Sequence, residues 1–241
     1  MSMDANEVLK TIAQQVAVCE KCTLHFSRKK SVPGEGPSNA RILLIGEGPG
    51  FYENEQGRPF VGPSGKFLDE LLQMAGLKRE EVFIGNVVKC RPPANRDPLP
   101  DELAACRPYL ERQIEAINPK VIVTLGRYSM AYFLPNAKIS LIHGKGSLVN
   151  GRLVVAMYHP AAALHQPALK KDIMADFTGL PRLLNRTKPE TAEKPAQPEK
   201  KPVEPLQPAL GSLFSELPKE RPAAKDETQD EGDKPVQLSL F

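Results

Sequence analysis

Short apolar runs and amphipathic stretches alternate from Asp4 to about Leu184. Residues 41–46 (Arg-Ile-Leu-Leu-Ile-Gly), 82–88, 121–125 and 153–157 are brief and rich in Val, Ile and Leu, and the first stops at a glycine. Such runs read as strands buried on both faces. Between them, residues 64–75, 100–117 and 127–133 space their apolar positions as helices do, and residues 167–184 form a last helix with proline in its first turn. Ahead of the first strand, Asp4 and Glu7 have the spacing of a capping box, and Val8, Ile12 and Val16 follow at helical intervals toward Cys19. Strands alternating with helices predict an α/β fold, a three-layer α/β/α sandwich around a central, mainly parallel, four-stranded sheet. Asn150-Gly151, between Leu148-Val149 and Leu153-Val154, is a hairpin signal that adds one antiparallel excursion near the last strand. Residues 29–39, a mix of Ser, Pro and Gly, read as a loop, and no internal repeat is visible.

Periodicity stops at Thr187. From there to Phe241 the chain carries nine of its 24 prolines and 8 Lys+Arg against 11 Asp+Glu, a net charge of −3. Such a segment buries too little apolar surface to offset the entropy of ordering, so a disordered tail is expected. Subtraction from the whole-chain 32 basic and 29 acidic residues leaves 24 and 18 in positions 1–186, a net +6. The overall +3 therefore hides a basic body, suited to a polyanionic partner, and an acidic tail. No apolar run approaches the roughly 18 residues of a membrane span, and the opening MSMDANEVLK lacks the basic-then-apolar design of a signal peptide. The expectation is a cytoplasmic protein. In that reducing setting four cysteines point to metal ligation rather than to disulfides.

The cysteines are Cys19 and Cys22, in C-x2-C, and the distant Cys90 and Cys106. Four thiolates at this spacing suit zinc or a [4Fe-4S] cluster. Gly46-Glu47-Gly48-Pro49-Gly50 follows the first strand, where open α/β sheets place their sites, but lacks the Lys-Ser/Thr ending of a phosphate-binding loop. Residues 57–65 (GRPFVGPSG), 86–95 (NVVKCRPPAN) and Tyr158-His159-Pro160 complete a set of motifs at successive strand ends. Read by themselves, Phe60 is a core aromatic or a stacking face, and His159 a structural histidine or a hydrogen-bond donor.

Together these motifs resemble the family 4 uracil-DNA glycosylases, the iron-sulfur branch of the uracil-DNA glycosylase superfamily, over roughly residues 5–184. The resemblance implies a monofunctional enzyme that flips uracil out of single- or double-stranded DNA and hydrolyses its N-glycosidic bond, initiating base excision repair. It assigns Asn86 to reading the base edge, since an amide offers one acceptor and one donor side by side and cytosine presents the opposite pattern. It assigns Phe60 to stacking, His159 to donation toward the 2-carbonyl as charge builds there, and Glu47 to positioning water beside the sugar. Gly48 and Glu53 then line the base pocket and Asn95 supports Glu47. Cys19, Cys22, Cys90 and Cys106 would hold a structural [4Fe-4S] cluster. Leu164, in the Ala161-Ala162-Ala163-Leu164 segment, would be the wedge entering the duplex, with Arg91 and His165 on the DNA. Many family members have arginine at the position of His165. Arg28, Lys29, Lys30, Lys89, Arg96, Lys170 and Lys171 are further candidate phosphate contacts.

Two rivals remain. A related branch of the superfamily traps uracil-DNA covalently through a histidine in a basic loop, yet residues 91–105 hold no histidine. A non-catalytic zinc module that binds nucleic acid would share the cysteines but would be colourless. The expected organisation is a catalytic domain over 1–186, a Pro/Glu/Lys-rich linker over 187–236 and a peptide over 237–241. That peptide, Gln237-Leu238-Ser239-Leu240-Phe241, resembles the one by which many bacterial repair and replication proteins dock on the DNA sliding clamp. The resemblance implies a bacterial source, with Gln237 hydrogen-bonding and Leu238, Leu240 and Phe241 filling an apolar pocket. The catalytic body is expected to be a monomer.

Overall fold

The computed structural model describes residues 4–186. The linker and the Gln237–Phe241 peptide lie outside the described residues. In chain order the elements are α1 (Ala5–Ala17), β1 (Ile42–Gly46), α2 (Phe51–Gln56), α3 (Pro63–Met74), β2 (Phe83–Asn86), α4 (Pro100–Ile117), β3 (Val121–Leu125), α5 (Arg127–Phe133), α6 (Ile139–Ile142), β4 (Gly146–Val149), β5 (Arg152–Met157), α7 (Pro160–His165) and α8 (Leu169–Arg186). Among the described residues no helix is long and apolar enough to cross a membrane.

The sheet has five strands in the order β2-β1-β3-β5-β4, parallel except for β4. Four of them are the expected apolar runs. The fifth is the other arm of the Asn150-Gly151 hairpin, whose two turn residues both have positive φ (48° and 75°), as a two-residue turn matched to strand twist requires. As an exposed edge strand, β4 carries too little apolar alternation to be read as a strand from sequence.

Continuous apolar runs are needed because both sheet faces are covered. Along β1, Ile42 and Leu44 face one layer, where they meet Leu68 and Leu71 of α3 and Phe177 and Leu180 of α8. Leu43 and Ile45 face the other, with Leu110 and Ile117 of α4. A third cluster joins α1 to α4, where Ile12 and Val16 pack with Leu24, Val88, Cys90, Cys106 and Tyr109. The sandwich is therefore as expected, with α1 held mainly by α4.

Three local details differ from expectation. Asp4 precedes α1 but makes no side-chain cap, so the Asp4/Glu7 capping box is not formed. Beyond β2, Val87 and Val88 leave the strand but still donate to the Gly46 and Glu47 carbonyls, continuing the parallel pattern past the ladder. The short helices α2, α6 and α7 are too brief for a periodic signal.

Candidate active site and cysteine pocket

A cleft of about 460 Å³ opens at the carboxyl ends of β1, β2 and β5. The glycine-rich turn after β1 supplies Glu47, Gly48 and Gly50, and β2 supplies Asn86; the connection before α3 adds Phe60, while His159 caps α7. The sequence motifs thus meet in one place, because parallel strands bring all their carboxyl ends to the same edge of the sheet.

The floor depends on a missing side chain. A Cβ at Gly46 would stand 2.4 Å from Asn86 Oδ1 and 2.7 Å from Phe60 Cζ. Gly46, read from sequence as the start of the glycine-rich turn, thus makes room for both side chains. Phe60 is buried at 5% exposure and takes a positive φ of 50°. Arg79 holds this strained backbone, donating to the Pro59 carbonyl at 2.6 Å and the Phe60 carbonyl at 3.2 Å. Gly65 lets the turn close, since a Cβ there would lie 2.0 Å from Phe60 O.

Glu53 is buried and lines the cleft, and its carboxylate accepts from the Gly50, Val61 and Gly62 amides at 3.1, 2.9 and 3.0 Å. One side chain thereby ties the glycine turn to the Phe60 connection. Asn86 is 1% exposed, and its Oδ1 is buried with no hydrogen-bond partner. A buried acceptor left unmade costs about 1–3 kcal/mol, which a ligand offering an N–H would relieve.

His159 stacks on Phe60 with ring centroids 5.5 Å apart and planes at 26°. Its Nδ1 accepts from the Ala161 amide at 3.1 Å, so a neutral ring carries its proton on Nε2. Burial pushes its pKa down to about 4 against a weaker opposing pull from Glu53, which keeps the ring neutral at physiological pH. Glu47 behaves oppositely. Desolvation first, then the charge of Asp97, raises its carboxyl to about 7, with Arg127 partly compensating. Asp97 is ion-paired with Arg127 and lines the cleft; sequence reading missed both, because neither stands in a motif. Asn95 also lines the cleft, and its amide oxygen accepts from Arg91 Nε at 2.7 Å.

Leu164 is 52% exposed on α7, and the exposed His165 lines the cleft. Several expected phosphate contacts are otherwise occupied. Lys89 is 1% exposed, its ammonium donating to Asn86 O at 2.8 Å and Gln113 Oε1 at 2.6 Å, which removes it from any surface contact. Arg28 donates to the Cys19 carbonyl at 2.7 Å, Lys29 pairs with Glu55, and Arg96 pairs with the buried Glu102.

All four cysteines line one narrow pocket with Val16, Leu24 and Tyr109. Cys90 and Cys106 are buried, and Cys19 and Cys22 half-buried. Burial raises the thiols of Cys22 and Cys90 and pushes Cys106 up to about 11. Thiols in this state are poor nucleophiles and need a bound cation to become thiolates. Two donors are aimed at the sulfurs: the Lys89 amide at 3.3 Å from Cys106 Sγ, and Arg28 at 3.7 Å from Cys90 Sγ. Among the described residues no group of three or more His, Cys, Asp or Glu stands as a ready cage for a metal ion.

Comparison with known proteins agrees with this geometry. Residues 33–178 match the model of the uracil DNA glycosylase superfamily. The chain is 47% identical over 195 residues to the type-4 uracil-DNA glycosylase of Saccharolobus solfataricus, covering 77% of this chain and 90% of that protein. The type-4 uracil-DNA glycosylase of Sulfurisphaera tokodaii is 47% identical over 179 residues, 70% of this chain and 81% of that one. That of Archaeoglobus fulgidus is 44% identical over 192 residues, 76% and 96% respectively.

The raised Glu47 carboxyl has a consequence for stability. Its neutral form is the one the fold favours, so the stability it contributes is complete below its ordinary 4.5 and is lost as pH rises through about 7. Glu47→Gln, uncharged throughout, is expected to be about 2 kcal/mol more stable than the native chain at pH 8 and nearly equal to it at pH 4. Urea unfolding at the two pH values measures this, and a difference independent of pH would show that Glu47 is not desolvated.

Proposed function

The chain belongs to the uracil-DNA glycosylase superfamily as a type-4 member and excises uracil from DNA, and we propose that it does so through Asn86, Phe60, His159 and Glu47 in the roles set out below. The observation that carries this reading is the buried Oδ1 of Asn86, which has no hydrogen-bond partner and lies in the cleft beside Phe60 and His159.

Uracil flipped from DNA stacks on Phe60, and Asn86 accepts from its imide N–H while donating to its 4-carbonyl. Cytosine would set like against like at both atoms of a buried amide, a mismatch worth far more than a difference in size. His159 donates from Nε2 to the 2-carbonyl, where charge accumulates as the glycosidic bond breaks. A ring held neutral and oriented by its Nδ1 contact acts as a fixed dipole rather than as a proton source. Glu47, ionised above about pH 7, orients water and stabilises the cationic sugar. Leu164 fills the space the base leaves, and Arg91 and His165 meet the backbone.

We also propose that Cys19, Cys22, Cys90 and Cys106 hold a [4Fe-4S] cluster. Four cysteines lining one pocket, with N–H donors aimed at two of the sulfurs, support it. When bound, the cluster supplies a cross-link between the end of α1, the chain after β2 and α4, and takes no part in bond cleavage. The terminal Gln237–Phe241 peptide, outside the described residues, is proposed to dock on the sliding clamp. By chain length alone, the 50 residues before it can bridge roughly 40 Å, enough to hold the enzyme near the clamp.

A uracil-containing oligonucleotide treated with the protein and then with alkali should break at the uracil, whereas the cytosine-containing control should not. Asn86→Asp and His159→Ala are each expected to lower the single-turnover rate by about 10²–10³ with little change in DNA affinity; unchanged rates would remove the pocket assignment. Cys90→Ala should lose the brown absorbance near about 400 nm and melt at a lower temperature. A variant still brown and equally stable would exclude Cys90 as a ligand. Deleting Gln237–Phe241 should abolish retention by immobilised clamp while leaving oligonucleotide cleavage intact, and undiminished retention would refute the docking role.

A further inference from the structure

We infer that Phe51, Tyr52 and Arg91 form a stacking platform at the rim of the cleft, which takes an unpaired base flanking the uracil in single-stranded DNA. This rests on the uracil-excision reading and extends it to the form of DNA preferred.

The first turn of α2 is divided between two directions. Glu53 and Asn54 point inward and are buried, whereas Phe51 and Tyr52 are 52% and 50% exposed. Their rings meet edge to face at 5.5 Å and 85°, so they are not stacked face on face. Tyr52 lies over the backbone that follows Phe60: a Cβ at Gly62 would be 3.0 Å from Tyr52 Cδ2. On the other side the Arg91 guanidinium sits 5.4 Å from the centre of the Phe51 ring, with its Nε anchored on Asn95 Oδ1 at 2.7 Å.

Both ends of this rim touch the cleft, through Gly50, which immediately precedes Phe51, and through Asn95, which holds Arg91. A scattered exposed aromatic needs no explanation. Two adjacent rings and a fixed cation beside a pocket for a flipped base match the chemistry of single-strand recognition, in which π faces take bases and the cation takes phosphate. In a duplex the neighbours of an extruded base stay paired and stacked on the helix. They reach such a platform only by leaving that stack, whereas in a single strand they are free to do so. The platform therefore favours single-stranded uracil-DNA.

The test compares the full-length protein with Phe51→Leu/Tyr52→Leu, which keeps apolar bulk but removes the π faces, and with Phe51→Tyr/Tyr52→Phe, which keeps them. The leucine pair is expected to raise KM for a single-stranded uracil oligonucleotide about tenfold or more. Its kcat should stay within about twofold of the native value, and KM for the same strand in a duplex should shift by less than about threefold. The aromatic exchange should behave as the native chain. Fluorescence anisotropy with a labelled oligothymidine, which needs no excision, should show the same weakening for the leucine pair alone. If both substrates suffer equally, if oligothymidine affinity is unchanged, or if the aromatic exchange fails as the leucine pair does, the platform is wrong. Failure of the native protein to excise uracil while oligothymidine binding still separates the two variants would instead overturn the activity reading and leave the platform standing.

Discussion

The cleft exists because β1 ends in a residue with no side chain. At Gly46 the chain passes close enough to Asn86 and Phe60 that a single methyl group would overlap both, with the Asn86 oxygen only 2.4 Å from its position. The floor of the cleft is built outward from that approach. Phe60 turns inward on a left-handed backbone, Asn86 is sealed at the end of the neighbouring strand, and His159 stacks behind Phe60. Such backbone strain persists only where surroundings impose it. Here Arg79 grips two consecutive carbonyls, and Glu53 gathers three amides from the two flanking loops.

Burial then shifts the titratable groups of the cleft in opposite directions. The same low-dielectric surroundings that keep His159 neutral, near 4, raise Glu47 to about 7. Near neutral pH the imidazole is uncharged, while the carboxyl sits close to its midpoint of ionisation. The Asp97–Arg127 pair beside Glu47 acts on it in opposite senses. Its position at the rim makes it the part of the electrostatics most open to solvent.

Lys89 connects the two halves of the molecule. Its backbone amide points at Cys106, and its buried ammonium holds the carbonyl of Asn86 and the side chain of Gln113, which in turn donates to Pro33 O. Burial lowers its pKa to about 8, so the fold spends stability to keep it there. The arrangement places Cys90, one of the four proposed cluster ligands, and the cleft residue Asn86 on one short stretch of chain. Disorder at the cysteines would reach Asn86 through three intervening residues.

The sequence by itself determined the layers and the location of the site. Both follow from local rules: continuous Val/Ile/Leu runs require a sheet covered on two faces, and motifs after parallel strands must gather at one sheet edge. The C-x2-C pair and its two distant partners likewise marked a shared pocket before any coordinates. Tertiary structure alone decided what depends on approach between distant segments. It set Gly46 against Asn86 and Phe60, buried Lys89, engaged Arg28 with the Cys19 carbonyl, joined Asn95 to Arg91, and brought Asp97 and Arg127 to Glu47. The hairpin turn announced the antiparallel excursion, and the structure shows its first arm paired as a fifth strand, β4. A charged residue looks the same in sequence whether it meets solvent or a buried carbonyl, because that choice is made by neighbours tens of residues away.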